Sequence, residues 1–472
     1  MPVNSFEHYP MTWKPDRTKL VPPIYQSMAA QLEYDILNGF LAPHTKLPPQ
    51  RELADYLDIN LSTVTRALKL CEVKGLIYGI TGSGTFVAPN VSNAIFLEDS
   101  DQKNVIEMGL VEPLDYSSSS YVAEVIQNIA AKNYLEKLLD YRNPLGMPYH
   151  KMAAKKWMAR FNLEVPIENI VITSGGQNSL TLILMSLFHA GDKVAVDTYT
   201  YPNFIELANM LNIHLVPIDG DSFGMMPERL EEVCRKNQLK GIYLIPSCHN
   251  PTAVTMDMNR RKEIAKVILK YNLILVEDDI FSFLAPEGFV PISYFVPDQF
   301  VYSLSVSKSL SSGMRVGFLG LANQFIDKIT NSIFNINVKT SAFNAEVITE
   351  LINTGCAEKI ISRKKNISKE RNLLYQNYFK MNYSSENPLT FFRWIPLDKK
   401  YQMEEFEQNA LDQGIHIYHS DRFLAKKDET NQFIRISLSS AKTYEELDKG
   451  LRTLKSFLFE RKKMVLNESY QH

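Results

Sequence analysis

The chain has 472 residues, more than one ordinary domain holds, so two or three domains are expected. It is 45% hydrophobic and 22% charged with a net charge of −2, the balance of a soluble globular protein whose overall charge advertises no nucleic-acid partner. No apolar run reaches the roughly 18 residues of a membrane span, and the first twenty residues lack the apolar core of a signal peptide. Cys71, Cys234, Cys248 and Cys356 are scattered, with neither CxxC spacing nor a disulfide framework. The expectation is a reduced, cytoplasmic protein without a metal site.

From Pro23 to Leu41 the apolar residues Ile24, Met28, Leu32, Ile36 and Leu37 recur at helical spacing, and Gly39 marks the stop. Pro49 opens a short helix over Gln50 to Leu57. A turn at Asp58-Ile-Asn60 leads to a third helix over about Ser62 to Lys74, with Ser62 as its N-cap and Leu61, Val64, Leu68 and Cys71 on its apolar side. Gly75 to Tyr78 and Gly84 to Val87 read as two strands joined by Ile80-Thr-Gly-Ser83. Three short helices and a hairpin make a winged helix-turn-helix, mainly α with a β-wing. Such a unit sends its third helix into the major groove of duplex DNA.

The run LPPQRELADYLDINLSTVTRALKLCEVKGLIYGITGSGTFV resembles the DNA-binding domain of the GntR family of bacterial regulators, over about residues 20 to 88. The resemblance implies that Arg51 and Arg66 hold phosphates, Ser62 and Thr63 face the groove, and Gly82 and Ser83 form the wing tip. Leu61 stands where the family often has arginine, and Pro49 replaces a common serine. Residues 1–90 carry eight Lys/Arg against eight Asp/Glu. Two modules in a dimer would therefore have to share the work of gripping an operator. Residues 89–104 are polar and without clear periodicity, apart from Ile95-Phe96-Leu97, and read as a linker.

From Val105 apolar strands alternate with helical stretches, which predicts a mainly parallel sheet covered by helices. Ile170 to Thr173 is a strand running into a Gly175-Gly176-Gln177 turn and a helix, a natural anion seat. Val194 to Tyr201 ends in an aromatic beside Pro202, suited to stack on a flat ring or, equally, to plug the sheet's edge. Gly241 to Pro246 leads to Asn250-Pro251, and Leu273 to Val276 runs straight into Glu277-Asp278-Asp279. Carboxylates at a strand's buried end are costly unless a cation sits there. Ser305-Val-Ser-Lys-Ser-Leu-Ser-Ser-Gly-Met-Arg-Val-Gly317 puts Lys308 among five serines between two buried strands, with Arg315 close by. That pattern suits capture of a phosphorylated aldehyde as a Schiff base.

Together these pieces resemble the fold-type I aminotransferases over about Val105 to Leu458. The implied fold is an α/β pyridoxal-phosphate-dependent transferase domain over 105–472. Its large part would cover about 105–335, and a smaller C-terminal α+β part about 336–460. By the resemblance Lys308 forms the internal aldimine with pyridoxal 5'-phosphate, Asp278 keeps the pyridine nitrogen protonated, Asn250 bonds the phenolic oxygen and Tyr201 stacks on the ring. Gly176, Gln177, Ser305, Ser307 and Arg315 hold the phosphate, with Tyr141 of the neighbouring subunit in a homodimer. Arg435, in Phe433-Ile-Arg435-Ile-Ser-Leu438, clamps a substrate carboxylate. The family's tyrosine two or three residues after that aspartate is Ile280 or Phe281 here, which implies slow transamination.

Both halves in this order are the layout of the MocR subfamily of GntR-type regulators. The implied protein is a pyridoxal-phosphate-dependent transcriptional regulator that binds an operator. It would sense an amino compound, or the cofactor itself, through aldimine chemistry at Lys308. The alternative is an active amino-acid aminotransferase carrying a DNA-binding arm.

Overall fold

The computed structural model describes residues 11–37, 40–42, 44–80, 82–88, 105–114, 118–141, 143–397, 401–426 and 431–468, except the side chains of Leu37 and of residues beyond 458. Gly39, expected to stop the first helix, and the expected linker at 89–104 lie outside these residues. The chain divides into two units, Met1–Asp101 and Gln102–His472. Among the described residues no helix is long and apolar enough to cross a membrane.

The first unit holds α1 (Ile24–Leu37), α2 (Gln50–Leu57), α3 (Leu61–Val73) and an antiparallel wing of β1 (Ile77–Ile80) and β2 (Gly84–Val87). Met28, Leu32, Ile36, Leu53, Leu57, Val64, Leu68 and Cys71 close its core, as their helical spacing requires. Two expectations need correction. The N-cap of α3 is Asn60, not Ser62: its side chain accepts from the Ser62 backbone at 2.8 Å, so Ser62 lies in the first turn. Leu61 is exposed rather than apolar-facing, because the cap starts the helix one residue earlier. Residues before α1 also belong to this core. Trp13 is buried and its indole donates to Asp35 at 2.7 Å.

The second unit opens with β3 (Ile106–Glu107), α4 (Ser119–Ala130), α5 (Leu135–Leu138) and α6 (Pro148–Ala159). Strand–helix alternation then follows: β4 (Ile170–Thr173), α7 (Gly176–Leu187), β5 (Lys193–Asp197), α8 (Pro202–Met210) and β6 (His214–Ile218). A small hairpin, β7 (Gly220–Asp221) and β8 (Gly224–Met225), precedes α9 (Pro227–Lys236), β9 (Leu239–Leu244), α10 (Met258–Tyr271) and β10 (Ile274–Asp278). β11 (Phe300–Ser305) and β12 (Gly317–Leu321) complete a seven-stranded sheet in the order β4-β12-β11-β10-β9-β5-β6. Only β12 runs against its neighbours. β4, β5, β9, β10 and β11 are buried along most of their length, as expected for parallel strands covered on both faces, whereas the edge strand β6 buries only Ile218 fully.

After α11 (Ile326–Ile336), α12 (Ala342–Asn353) and the long α13 (Cys356–Gln376), the C-terminal part forms. It has β13 (Phe392–Pro396), α14 (Met403–Asp412), β14 (Ile415–His416), β15 (Tyr418–His419), β16 (Phe433–Ser437) and α15 (Tyr444–Glu468). Its separate apolar core also takes in Ile106 and Met108, because β3 pairs in parallel with β14. The chain thus enters its second unit through the C-terminal core.

A buried ion pair ties β13 down. Arg393 donates to Glu386 at 2.6 Å and to Asn372 of α13, and the Arg393 and Glu386 side chains are 0% and 2% exposed. Removing one partner strands the other charge away from water, at a cost of about 3–5 kcal/mol, whereas replacing both by apolar residues is close to neutral. Glu386→Gln is therefore expected to lower stability in denaturant unfolding far more than Glu386→Leu combined with Arg393→Met. Equal losses would remove the pair from the account of this subdomain.

Candidate functional site

Six chain segments meet at the carboxyl edge of the parallel strands, where open α/β sheets hold their ligands. β4 ends at Thr173 and turns through Gly175, whose φ is +92°, into α7. A Cβ on Gly175 would stand 3.0 Å from an Arg315 guanidinium nitrogen, and one on Gly176 would stand 3.1 Å from the Ser305 Cβ. The start of α7, Ser305 and Arg315 therefore enclose one cradle, so tight that a Cβ at either glycine would press on a neighbour. Ser305 at the end of β11 accepts from the Ser307 backbone at 3.3 Å, and the two hydroxyls lie 3.1 Å apart. Arg315 itself is in the left-handed region at φ 50°, a conformation costly for a non-glycine residue. Amides of a helix start, two hydroxyls and a guanidinium are a donor set for an anion such as a phosphate.

Asp278 closes β10, one strand away. Burial raises its carboxyl to about 7, and among the described residues its one side-chain donor is the Tyr243 hydroxyl at 2.9 Å, which pulls it down. Tyr243 lies on β9, fully buried, with its ring stacked on Phe204 at 3.7 Å and 7°. Glu277 and Asp279 turn elsewhere. Glu277 accepts from the backbones of Ile292 and Ser293 and from the Ser293 hydroxyl, and Asp279 accepts from Tyr302 at 2.6 Å. Burial raises all three acids, and Asp279 keeps one oxygen, Oδ1, without a hydrogen-bond partner. Asp278 is set apart by the charge it exerts on the Tyr201 ring.

Tyr201 connects the centres. Burial raises its phenol to about 12, helped by the charge of Asp278 and opposed by Arg435 and Arg315. All three charged groups are thus within electrostatic reach of one ring. Arg435, on the central strand β16 of a three-stranded sheet, donates to Asn250 Oδ1 at 3.0 Å and to the Gly109 carbonyl. Its guanidinium lies over the rings of Tyr418 and Phe423, and burial lowers it to about 10, still a cation at neutral pH. Arg435 Nε, Thr200 Oγ1 and Gln177 Oε1 are buried without a hydrogen-bond partner. Unsatisfied groups at that depth mark a place where a polar ligand belongs.

Lys308 Nζ donates to the Val111 carbonyl. Lys364 of α13, fully buried, donates to the carbonyls of Lys308 at 3.1 Å and Leu310 at 3.4 Å and so pins the lysine's loop. Of the residues singled out from the sequence, Gly176, Gln177, Tyr201, Asn250, Asp278, Ser305, Ser307, Lys308, Arg315 and Arg435 belong to these segments. Tyr141 does not: it is 83% exposed, and no described contact brings it to the others. In the first unit Arg51, Ser62, Thr65, Arg66, Gly82 and Ser83 are exposed and Thr63 is half-buried, while Arg66 also stacks over Tyr25 at 4.2 Å. Tyr243 and Lys364 were missed, because a tyrosine in an apolar strand and a lysine in a basic helix carry no sequence signal.

The arrangement agrees with what the chain is similar to. Residues 103–454 match the class I and II aminotransferase family, and residues 24–87 match the bacterial regulatory proteins of the gntR family. YdeF of Bacillus subtilis, described as an uncharacterized HTH-type transcriptional regulator, is 38% identical over 97% of this chain and 99% of its own length. YjiR of Escherichia coli, described in the same words, is 25% identical over 89% and 96%. Two solved aminotransferases share the fold of the second unit. A kynurenine aminotransferase of Pyrococcus horikoshii, in complex with PMP, has a TM-score of 0.69 at 22% identity, covering 78% of this chain and 96% of its own. LysN, an alpha-aminoadipate aminotransferase of Thermus thermophilus complexed with N-(5'-phosphopyridoxyl)-L-leucine, has a TM-score of 0.68 at 22% identity, covering 76% and 93%. The cradle, the buried acid and the lysine thus lie in a domain of known kind, and the chain belongs to the class I and II aminotransferase family, joined to a GntR-family DNA-binding domain in the MocR-like architecture.

Proposed function

We propose that this protein is a transcriptional regulator whose second unit binds pyridoxal 5'-phosphate and an amino compound, and whose first unit binds duplex DNA. One observation carries the reading: a lysine, an anion cradle, a cation-seeking carboxylate and a carboxylate-seeking arginine converge at one sheet edge in a chain that also holds a winged helix-turn-helix. The names of the relatives as HTH-type regulators support it.

The residues fit the cofactor. Orphaned buried polar atoms, a glycine cradle that a Cβ would crowd, and a buried acid raised by desolvation fit its phosphate and its ring nitrogen. When bound, pyridoxal phosphate supplies an electrophilic carbon and an electron-withdrawing ring. Gly176, Gln177, Ser305, Ser307 and Arg315 would hold its phosphate, Asp278 would hold a proton at its nitrogen, Asn250 would bond its phenolic oxygen and Tyr201 would pack against its ring. Lys308 offers the amine, and Arg435 takes the ligand's carboxylate. Tyr141, exposed on the surface, is the residue this chain lends to a second copy in a homodimer.

Ile280 and Phe281 bring no hydroxyl to the site, and Phe281 packs edge-on against Phe391 and Phe392. Such a site holds an amine longer than it converts it, which suits a sensor better than an aminotransferase. On the DNA side Arg51 and Arg66 hold phosphates, Ser62 and Thr63 face the groove, and Gly82 and Ser83 tip the wing. Residues 89–104 tether the units, and a DNA-bound regulator of this kind works in the cytoplasm.

Borohydride reduction of purified protein is expected to fix a chromophore on Lys308, as read by peptide mapping. Lys308→Ala keeps its fold and loses the linkage, because the side chain contributes chemistry more than packing. A reduced adduct on any other lysine would move the site.

For Asp278 the folded value of about 7 exceeds the unfolded value of 3.8. The folded, cofactor-free chain thus holds an extra proton, whose stabilising contribution is complete below about pH 4 and is lost as pH rises through 7. Tyr243→Phe raises the folded value further. Its stability deficit against wild type is therefore expected to be larger at pH 8 than at pH 5, by about 1 kcal/mol for one unit of added shift and by about 1.4 kcal/mol at most, because pH 8 lies only about one unit above the wild-type value. Thermal unfolding at the two pH values checks this, and equal deficits would remove Tyr243 from the ionisation of Asp278.

On duplex DNA, Arg51→Ala and Arg66→Ala are each expected to flatten the dependence of log affinity on log salt by about 0.9. An unchanged slope in both would place the DNA surface elsewhere.

A further inference from the structure

Residues 106–111 form a strap between the C-terminal core and the ligand site. β3 is pinned on β14, and three further bonds extend the seam. The Met108 backbone donates to the His416 carbonyl at 2.9 Å, Ser437 N donates to the Met108 carbonyl at 2.5 Å, and the Ser440 hydroxyl donates to the Glu107 carbonyl at 2.6 Å. Then the strap turns. Glu107 Oε1 accepts from the backbones of Gly109 at 2.6 Å and Leu110 at 2.8 Å, while Oε2 meets His416 Nδ1 at 2.6 Å. The turn aims two carbonyls outward: Gly109 O takes Arg435 Nη2, and Val111 O takes Lys308 Nζ. One segment of backbone thus holds both groups that a ligand would use.

We propose that this strap is an internal competitor for the ligand site, with Glu107 and Gly109 as the positioning residues that set its grip. The inference rests on the reading of Lys308 and Arg435 given above. A carbonyl offers Arg435 one neutral acceptor, whereas a carboxylate offers a charged, two-pronged one. A carboxylate-bearing ligand therefore displaces Gly109 O and frees the strap, and an amine without a carboxylate leaves it in place. Gly109 is fitted for this. A Cβ there would stand 3.2 Å from carbons of the Tyr418 ring and 3.2 Å from Glu107 Oε1. Tyr418 also lies under Arg435, 5.4 Å from ring centre to guanidinium. A larger residue at 109 therefore presses on Tyr418 and Glu107, the two side chains that hold the arginine and the turn. The chain N-terminal to the strap leads to the DNA-binding unit, so release lengthens that tether by about 3.3 Å per residue freed.

Hydrogen exchange over residues 106–112 tests this in full-length protein carrying pyridoxal phosphate, where Lys308 is engaged by the cofactor and the Arg435–Gly109 contact is the grip under test. Formate is the probe carboxylate, having no side chain for the pocket to refuse, and equal chloride is the control. Gly109→Ala and Arg435→Gln are each expected to speed exchange in chloride about tenfold, the equivalent of one lost hydrogen bond. Formate does the same to wild type and adds nothing in Arg435→Gln. Glu107→Ala, which cuts the turn from a side chain, gives the same result should Gly109→Ala not fold. Unchanged exchange in these variants, with formate still perturbing the cofactor's absorbance, overturns the strap and leaves the site reading intact. Variants that loosen the strap while formate alters neither exchange nor absorbance remove Arg435 as a carboxylate clamp, and both readings fall.

Discussion

The site depends on a carboxylate that the fold has taken out of water without a cation. Asp278 ends a central strand of the sheet, and burial, helped by the charge of Asp279, drives its carboxyl toward neutrality. Its neighbours meet the same problem differently: Glu277 caps the backbone at Ile292 and Ser293, and Asp279 accepts from Tyr302 on one oxygen while the other stays unsatisfied. Among the described residues the side-chain donor to Asp278 is Tyr243, which is in turn fixed by its stack on Phe204. Buried, and within electrostatic reach of Tyr201, Asp278 is the half of an ion pair that the proposed ligand's cation would complete.

Rigid supports surround that deficit. Arg315 keeps a left-handed backbone that its loop has to impose, and buried Lys364 grips the carbonyls of the turn that carries Lys308. Lys308 is therefore held from behind by Lys364 of α13 and from in front by the Val111 carbonyl, while the Gly109 carbonyl holds Arg435. On the proposal made above, a carboxylate ligand competes with the strap for these donors, and linkage to DNA binding requires such a pair of alternative arrangements.

Much of this was legible in the sequence, for a reason particular to α/β folds. The residues of the candidate site sit where apolar strands end, so Thr173-Ser-Gly-Gly, Pro246 to Asn250, Asp278 and Ser305 to Lys308 stand out as polar breaks in buried runs. The helical spacing of Met28, Leu32 and Ile36 gave the first unit in the same way. What was not legible depends on contacts between distant parts of the chain. Glu107 meets His416 across 309 positions, and nothing in Val105 to Val111 announces a partner there. Tyr243 reads as one more apolar strand residue until its hydroxyl is seen against Asp278. Asn60 rather than Ser62 caps α3 because the cap is decided by backbone geometry at the turn, where both residues are chemically eligible.

The central claim is that ligand occupancy at the sheet edge and DNA binding by the winged helix are coupled in one chain. Coupling is reciprocal by thermodynamic necessity. The most direct measurement is the half-saturating concentration of an amino compound that changes the cofactor's absorbance, taken with and without saturating operator DNA. The account predicts that DNA shifts it by the same factor by which the compound shifts DNA affinity. Identical half-saturation in both conditions, with the compound bound and the DNA bound, would contradict it.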